Sequence, residues 1–453
     1  MLKVDLGKAR GGFCDRMSRR QALRIGSTGL FGGLTLPGLM ELQAKAPTAT
    51  PGKAQSLIFI FLEGGPSHID MWDLKPEAPR EVRGPYRQIP TALPGVHIGE
   101  HLPRCAKALD KMTVLRSHSH NDNGHTSGFH YVCTGYQVSN SSLGGKSPLN
   151  HLYPSLGSIV SRELGPRSSV PAHIQLPNPF AAGGPGFYGA EHAPFVIETD
   201  PVEPNFHVKD VSPPEGVTAT RFDLRRRLVN AVDGLEHSLE KNVAKASAHS
   251  QVMSKYYERA FDLVSSPAAK RAFDINSEPD HLRQAYGHTS LGQCALLARR
   301  LVESGCRFVG IDHGSWDTHY KCFPSQTHDL IPHVDMALSA LVTDLAQRGL
   351  LESTLVVMMG EMGRTPNINV WAGRDHWSMA QSVILAGGGI SDGKIVGATD
   401  NRAAYPTTEP IGIEDLLFTI FRQMGIDGNK SYLTPLGRPV PIVNGGRFVE
   451  ELV

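Results

Sequence analysis

Short, uninterrupted runs of apolar residues alternate along the chain with longer stretches in which apolar positions recur at helical spacing. The run at residues 56–62 is apolar almost throughout, as a strand buried on both faces of a sheet should be. Helical spacing is clearest at residues 288–305 and 328–348. Further apolar runs lie at residues 112–115, 307–311, 354–359 and 382–385. Strands that alternate with helices predict an α/β fold with a mainly parallel central sheet and helices on both faces.

Residues 1–46 have the features of a twin-arginine export signal. Arg19 and Arg20 precede a weakly apolar, glycine-rich run at residues 25–40, and Ala-Lys-Ala at 44–46 fits a cleavage site between small residues. This signal predicts recognition by the twin-arginine export machinery and a periplasmic or extracellular location. We expect no stable membrane insertion, because a membrane span needs about 20 predominantly apolar residues. The alternative is a cytosolic amphipathic first helix with an accidental arginine pair.

The remainder of the chain is predicted to hold a short linker and one domain. Residues 47–55 form the linker, and residues 56–453 form the α/β domain. The proline-free stretch that begins at residue 221 is rich in Leu, Ala, Lys, Glu and Arg, so we expect a helical insertion at about residues 221–285. A segment dense in Pro and Gly between residues 166 and 214 predicts a long loop.

Charge and cysteine content narrow the classes of function. The 45 Lys and Arg residues balance 44 Asp and Glu residues, so no net positive field attracts nucleic acid and we expect no nucleic-acid partner. The six cysteines include no C-x-x-C pair, which argues against a zinc ribbon or a redox motif. One or two disulfides remain open for an exported protein.

Acidic and imidazole side chains follow the predicted strands, where an open α/β sheet binds its ligands. Carboxylates and imidazoles in one pocket suit a divalent cation such as zinc, manganese, magnesium or calcium, and one or two ions are expected. Each candidate also has a structural interpretation as a hydrogen-bonded or helix-capping residue. The candidate metal ligands are Glu63, Asp70, Asp317, His319, Glu361, Asp375 and His376.

Other side chains near these ligands are candidates for acting on a substrate. The planar guanidinium groups of Arg364 and Arg374 could clamp an anionic ester, although Arg364 could instead pair with Glu361. The hydroxyl of Thr126 or Ser127 could act as a nucleophile if a metal lowered its pKa. The remaining candidates are His120 for substrate binding and His125 for catalysis.

Several ordered motifs resemble the exported family catalogued as domain of unknown function 1501, which is placed in the alkaline phosphatase and sulfatase superfamily. The motifs cover most of the chain and begin with the twin-arginine pair. The others are Gly64-Gly65-Pro66-Ser67-His68-Ile69-Asp70 with Asp73 and Lys75-Pro76, His125 nine residues before Thr134-Gly135, Trp316-Asp317-Thr318-His319, Gly360-Glu361-Met362-Gly363-Arg364-Thr365-Pro366 and Gly373-Arg374-Asp375-His376-Trp377.

The resemblance implies an exported metal-dependent hydrolase of phosphate or sulfate esters, with a small-molecule or polysaccharide ester as its substrate. It implies an acid ligand at Glu63 or Asp70, followed by Asp317 with His319, Glu361, and finally His376. The sequence departs from the superfamily pattern where the nucleophile is expected, because His125 stands there. It also departs at Met362, which replaces a histidine. The alternative function is therefore a non-catalytic, degenerate member that binds sulfated or phosphorylated polysaccharide.

Overall fold

The computed structural model of the protein describes residues 52–138, 152–211 and 260–453, with a few further positions between 220 and 228. The predicted signal therefore lies outside the described residues. The strands, in chain order, are β1 Ser56–Leu62, β2 Gln88–Pro90, β3 His97–Gly99, β4 Thr113–His118, β5 His173–Leu176, β6 Phe195–Val196, β7 Phe308–His313, β8 Thr354–Met359, β9 Gly363–Arg364, β10 His376–Trp377, β11 Gln381–Ala386, β12 Lys394–Val396, β13 Ser431–Leu433 and β14 Pro439–Pro441.

Helices connect most of these strands within the described part of the chain. A π-helical turn, Gln326–Leu330, leads directly into the longest helix. None of the described helices is both long and apolar enough to cross a membrane. The α-helices are α1 His68–Met71, α2 Arg80–Arg83, α3 Pro103–Ala108, α4 His125–Thr134, α5 Leu156–Leu164, α6 Pro267–Phe273, α7 Asp280–Tyr286, α8 Ser290–Glu303, α9 Cys322–Ser325, α10 Ile331–Gln347 and α11 Ile413–Gln423.

An eight-stranded sheet in the order β12-β4-β11-β8-β1-β7-β5-β6 forms the centre of the domain. All neighbouring strands are parallel except β11, which runs antiparallel to both β4 and β8. This confirms the predicted mainly parallel α/β architecture. The reversed strand matters for function, because β11 begins at the edge of the sheet where its neighbours end.

Strand β1 explains why the sequence had to be apolar at successive positions. Ile58, Ile60 and Leu62 pack into a core that includes residues of α8 and α10. The alternate residues Phe59 and Phe61 pack into a second core, to which α4, α5 and α11 contribute. Side chains of a strand alternate between the two faces of a sheet, so helices on both sides bury the whole run.

One region differs from its sequence prediction, and a second is only partly described by the structure. The predicted loop between residues 166 and 214 contains β5 and β6, which extend the sheet beyond β7. These strands are only four and two residues long, so they leave almost no periodic signal. Much of the predicted insertion at 221–285 lies outside the described residues, and its described end contains α6 and α7.

Candidate metal centre

Loops at one edge of the sheet bring together side chains from distant parts of the sequence. Strands β1, β4, β7 and β8 are mutually parallel across the sheet, so the segments that follow them emerge on the same side. His376 precedes the antiparallel strand β11 and therefore reaches this edge from the opposite chain direction. This topology is the reason that residues before and after strands meet at one place.

His125, Asp317, His319 and His376 form a group whose possible ligand atoms all lie within 4.8 Å of one another. The Oδ1 atom of Asp317 lies 3.2 Å from His125 Nε2, 2.9 Å from His319 Nε2 and 3.2 Å from His376 Nε2. The Nε2 atoms of His319 and His376 are 2.9 Å apart. Three imidazoles and a carboxylate thus bring four atoms that can donate an electron pair close together.

The outer nitrogen of each imidazole is bonded to an oxygen. Nδ1 of His125 lies 2.5 Å from Glu361 Oε1, and Nδ1 of His319 lies 2.7 Å from Asp375 Oδ1. Nδ1 of His376 lies 2.8 Å from the backbone carbonyl oxygen of Asn123. Carbonyl and carboxylate oxygens accept hydrogen bonds, so each Nδ1 carries the ring proton and donates it.

Protonation at Nδ1 leaves a lone pair on each Nε2 of the neutral rings, and these lone pairs converge. His319 Nε2 and His376 Nε2 cannot both be acceptors at 2.9 Å without a positive charge between them. His125 Nε2 is also a buried atom without a hydrogen-bond partner among the described residues. Histidine ligands of metals usually have this arrangement, with the outer N–H held by a carboxylate or a backbone carbonyl.

The spacing of the donor atoms fits a small divalent cation. Ligand atoms about 2.0–2.2 Å from a zinc ion at tetrahedral angles lie roughly 3.3–3.6 Å apart. The separations of 2.9–3.2 Å around Asp317 Oδ1 are close to that value. The four residues therefore fit a bound metal ion in both chemistry and spacing, whereas an unmetallated cluster would need an extra proton.

Glu361 stands behind His125 as a buried orienting acid. Its carboxylate accepts the backbone N–H of Gly64, at 2.9 and 3.1 Å from its two oxygens, and it accepts His125 Nδ1–H. Gly64 has φ 111°, and a Cβ there would lie 2.3 Å from the backbone nitrogen of Asp317, so only glycine allows these loops to meet. Hydrogen bonding to Glu361 is the main reason that the pKa of His125 is raised.

Arg364 holds Asp317 and does not face a substrate. The guanidinium is fully buried, and its Nη2 lies 2.6 Å from Asp317 Oδ1. Partial burial opposes ionisation of Asp317, but the hydrogen bond and charge of Arg364, with help from His125, lower its pKa to about 2. The predicted anion clamp is therefore corrected to a positioning group. The oxygens that accept from Arg364 belong to Gly64, Gly65, Trp316, Asp317 and Arg374.

Asp70 and Arg374 lie away from the cluster as a buried, two-pronged ion pair. Arg374 Nε is 2.8 Å from Asp70 Oδ2, and Nη2 is 2.9 Å from Oδ1. Ser67 donates to the same carboxylate at 2.6 Å, and both members of the pair are completely buried. The predicted roles of Asp70 in metal binding and of Arg374 in substrate binding do not fit this arrangement, because each group neutralises the other.

The structure separates the candidates near the start of α4. His120 is buried, and its Nε2 lies 2.8 Å from the backbone oxygen of Glu361, so it supports the loop and does not reach a substrate. Ser127 is also buried, and its hydroxyl donates to Asp122 at 2.7 Å. Thr126 is exposed, directly after His125. Of the two predicted nucleophile positions, only Thr126 is exposed.

Glu63 lies beside the cluster but outside the four-residue group. Its partial desolvation and the charge of Glu361 raise the pKa of Glu63, while His125 lowers it. Asp312, near the end of β7, is a neighbouring acid that the sequence did not single out. Burial first and Glu63 second raise the pKa of Asp312 to about 7, although Asn178 lowers it. The raised pKa values mean that both carboxyls keep a proton to higher pH than free carboxyls do, because each is partly buried near another acid.

Sequence reasoning missed the residues that orient the ligands. Asn369 donates from Nδ2 to Asp375 Oδ1 at 3.1 Å and to the backbone oxygen of His319 at 2.9 Å. Asn123 supports His376 through its backbone oxygen, which any residue type could provide. The residue type of Asn369 was the available signal, since asparagine often stabilises turns.

Solved structures with related folds include sulfatases and phosphatases. The PsFucS1 sulfatase from Pseudoalteromonas sp. is 13% identical, with a TM-score of 0.38, 90% of this chain and 72% of that chain covered. The lipoteichoic acid synthase LtaP from Listeria monocytogenes is 11% identical, with a TM-score of 0.34 and coverages of 84% and 76%. A mutant of TAB5 alkaline phosphatase with magnesium bound in the M3 site is 9% identical, with a TM-score of 0.35 and coverages of 84% and 100%.

No curated protein matches the sequence. The family model described as "Protein of unknown function (DUF1501)" matches residues 54–453, which include every strand of the sheet and every residue of the histidine cluster. The family predicted from the motifs is thereby confirmed, and the chain belongs to the DUF1501 family.

Proposed function

We propose that this protein is a metal-dependent hydrolase of phosphate or sulfate esters whose ion is held by His125, Asp317, His319 and His376. The observation that carries the proposal is the convergence of three imidazole Nε2 lone pairs and one carboxylate oxygen within 4.8 Å. Each ring is fixed in the required tautomer by an oxygen behind it. Such a set is costly to hold together without a cation, since like lone pairs repel.

The ligand types favour zinc or a similar transition metal over calcium or magnesium. Imidazole nitrogen suits zinc and its neighbours, whereas calcium and magnesium prefer oxygen ligands. In this proposal His125 is a metal ligand, whereas the sequence analysis assigned it to catalysis. The proposal likewise moves Glu361 and Asp375 from ligands to the acids that orient His125 and His319. Glu63 and Asp312 are nearby carboxylates that could hold a second ion.

The resemblance of the sequence motifs to the alkaline phosphatase and sulfatase superfamily supplies the substrate class. A bound divalent ion would polarise an ester oxygen and stabilise the charge that develops on it. Three of the proposed ligands are partly exposed: the exposed fraction of the side chain is 46% for Asp317, 40% for His319 and 25% for His376. An ester can therefore reach the ion from solvent. Because Arg364 and Arg374 are both buried, the ion itself is the group that attracts the anion.

The protein's own residues then divide the remaining work. Arg364 keeps Asp317 ionised and pointed at the ion position, and Asn369 with Asp375 fixes His319. Thr126, an exposed residue that directly follows His125, is the protein nucleophile in this proposal. If Thr126 does not react, a solvent water must attack the ester.

The test combines metal analysis with turnover of 4-nitrophenyl phosphate and 4-nitrophenyl sulfate. We expect the purified protein to bind one equivalent of zinc or a related metal tightly, and to lose turnover in a chelator and regain it with zinc. His319→Ala should lose both properties. His207→Ala, which removes an exposed imidazole whose Nδ1 lies 3.0 Å from the backbone oxygen of Asn205, is the matched control.

The outcomes separate the hydrolase from its rival. Bound metal without turnover of either ester would reject the hydrolase and favour the degenerate, polysaccharide-binding member. No metal in either the wild type or the reconstituted protein would reject both. The Thr126→Val variant distinguishes the two nucleophiles, because a threonine nucleophile predicts loss of turnover and a water nucleophile predicts retention.

A further inference from the structure

An exposed aromatic patch lies beside the histidine cluster. Tyr320 is 59% exposed, Trp371 is 62% exposed and the adjoining Val370 is 92% exposed. The rings of Tyr320 and Trp371 have centroids 6.2 Å apart and are inclined at 43°. Large aromatic side chains grouped at a surface usually mark a binding site, because their exposure to water is unfavourable.

The aromatic patch is built into the same loops that hold the metal ligands. Tyr320 directly follows the ligand His319, and the backbone N–H of Lys321 donates to the Trp371 carbonyl at 3.0 Å. Asn369, two residues before Trp371, donates both to the His319 carbonyl and to Asp375. The loops that carry the two rings are therefore bonded to the loop that carries His319 and to the acid that orients it.

The backbone around these rings is strained and firmly held. Lys321 has φ 45° and Ala372 has φ 57°, left-handed conformations that cost free energy in residues with a side chain. Asn369 Oδ1 accepts the backbone N–H groups of Trp371 at 2.9 Å and of Gly373 at 3.0 Å. Strain of this kind, fixed by several bonds, presents the rings in one geometry before a ligand arrives.

The shape and charge of the patch indicate the ligand. The two exposed rings do not enclose a ligand. A ligand that stacks on them keeps its other face and its edge in water, which suits a ring that carries many hydroxyl groups. The C–H face of a pyranose is apolar and slightly positive, which complements the negative face of an aromatic ring. Lys321 Nζ lies 5.1 Å from the centre of the Tyr320 ring and provides a positive charge for an anionic substituent.

We propose that Tyr320 and Trp371 bind the pyranose ring of a saccharide sulfate or phosphate ester and place its ester group at the histidine cluster. This assignment rests on the proposed hydrolase for the reaction, but the binding of the sugar ring is a property of the aromatic pair. Turnover and sugar binding can therefore be tested separately.

The experiment measures binding by calorimetry with zinc-loaded protein. The probes are N-acetylglucosamine 6-sulfate and glucose 6-phosphate, with methyl sulfate and methyl phosphate as esters that lack a ring. We expect Trp371→Ala and Tyr320→Ala each to weaken sugar-ester binding about 10-fold, as loss of one stacked ring does in other stacking sites. Binding of the methyl esters should stay unchanged.

Two control variants protect the interpretation. Trp371→Phe keeps an aromatic face and should retain most of the affinity, which also guards against misfolding as the cause. Leu436→Ala removes an apolar side chain that is 96% exposed in the β13–β14 hairpin and should change nothing. Kinetically, Trp371→Ala should raise KM for sugar esters by about the same factor as it weakens their binding, whereas Leu436→Ala should leave kcat for 4-nitrophenyl phosphate within about 2-fold.

Three results decide between the possibilities. Equal sugar-ester affinity in the wild type and Trp371→Ala would overturn the aromatic assignment, even if the hydrolase is active. Ring-dependent binding without any turnover would support the assignment and reject the hydrolase. A wild-type dimer that Trp371→Ala converts to a monomer in light scattering would show that a second copy covers the patch, and would overturn the assignment.

Discussion

The histidine cluster and the Asp70–Arg374 pair are both polar groups near one edge of the sheet, yet they differ in how their bonding capacity is used. Asp70 and Arg374 meet through two short bonds in a fully buried setting. In the cluster, His319 and His376 direct unprotonated nitrogens at each other. The Asp70–Arg374 pair is complete without a ligand, whereas the histidine cluster could hold a metal ion.

The contrast shows why residue type alone does not identify a site. An acid and an arginine that neutralise each other hold loops together, whereas ligands with unused lone pairs remain available for chemistry. Arg364 belongs to both regions, since it is buried like Arg374 but bonds to a residue of the cluster. It is a structural group that also positions Asp317 and lowers its pKa.

The largest expected effect comes from breaking the buried pair. Asp70→Ala leaves the Arg374 guanidinium buried and unpaired, so we expect the free energy of unfolding to fall by about 3–5 kcal/mol. Urea denaturation measures this change. Lys111→Ala, which breaks the exposed pair with Asp110, should cost less than about 1 kcal/mol. Similar costs for the two variants would contradict the buried character of the Asp70–Arg374 pair.

The next effect is on metal affinity. His319→Ala removes one of the four proposed ligands, so we expect zinc to bind at least about 100-fold more weakly, since even outer partners of ligands are worth about 10- to 100-fold. Competition with a chromophoric chelator gives the affinity. The metal-free variant should unfold close to the wild type, because the half-exposed ring makes few packing contacts. Unchanged zinc affinity would exclude His319 from the site.

A smaller effect on zinc affinity is expected at Asp375, the acid bonded to His319. Asp375→Asn keeps the shape of the side chain but removes the charge that orients His319, so we expect about 10- to 100-fold weaker zinc binding. Asp262→Asn, an exposed substitution with the same chemistry, is the control. If Asp375→Asn lost as much affinity as His319→Ala, Asp375 would be acting as a ligand itself.

The smallest effect concerns the dependence of stability on pH. Asp312 has its pKa raised to about 7 by burial and by Glu63, against an unfolded value near 3.8. The folded state therefore holds a proton that the unfolded state has released, and stability falls as pH rises from about 4 to about 7. Asp312→Asn should reduce this fall by about 1–2 kcal/mol in metal-free protein, a value lowered for partial exposure of the carboxyl. If the free energy of unfolding fell equally with pH in the wild type and the variant, Asp312 would not be the cause of the fall.

The sequence predicted much of the fold because long buried elements leave a clear pattern. Strand β1 and helices α8 and α10 were expected within a few residues of their observed bounds. Strands β5 and β6 were not expected, because short segments at the end of a sheet carry too few residues to show a period. Strand β11 was expected, but its reversed direction was not, since pairing direction does not depend on local composition.

For the candidate site, the sequence supplied the residues and the folded chain assigned their roles. The local sequence shows that Asp317 and His319 follow a strand and that His376 precedes one. It also shows the apolar runs that form these strands. Hydrogen-bond partners depend on groups that are far apart in the chain, such as His125 with Glu361, 236 residues away, and Asp70 with Arg374, 304 residues away. Whether a polar side chain is saturated or left with a free lone pair is thus decided only when the loops pack, because a hydrogen bond acts over about 3 Å and its geometry is absent from the linear order.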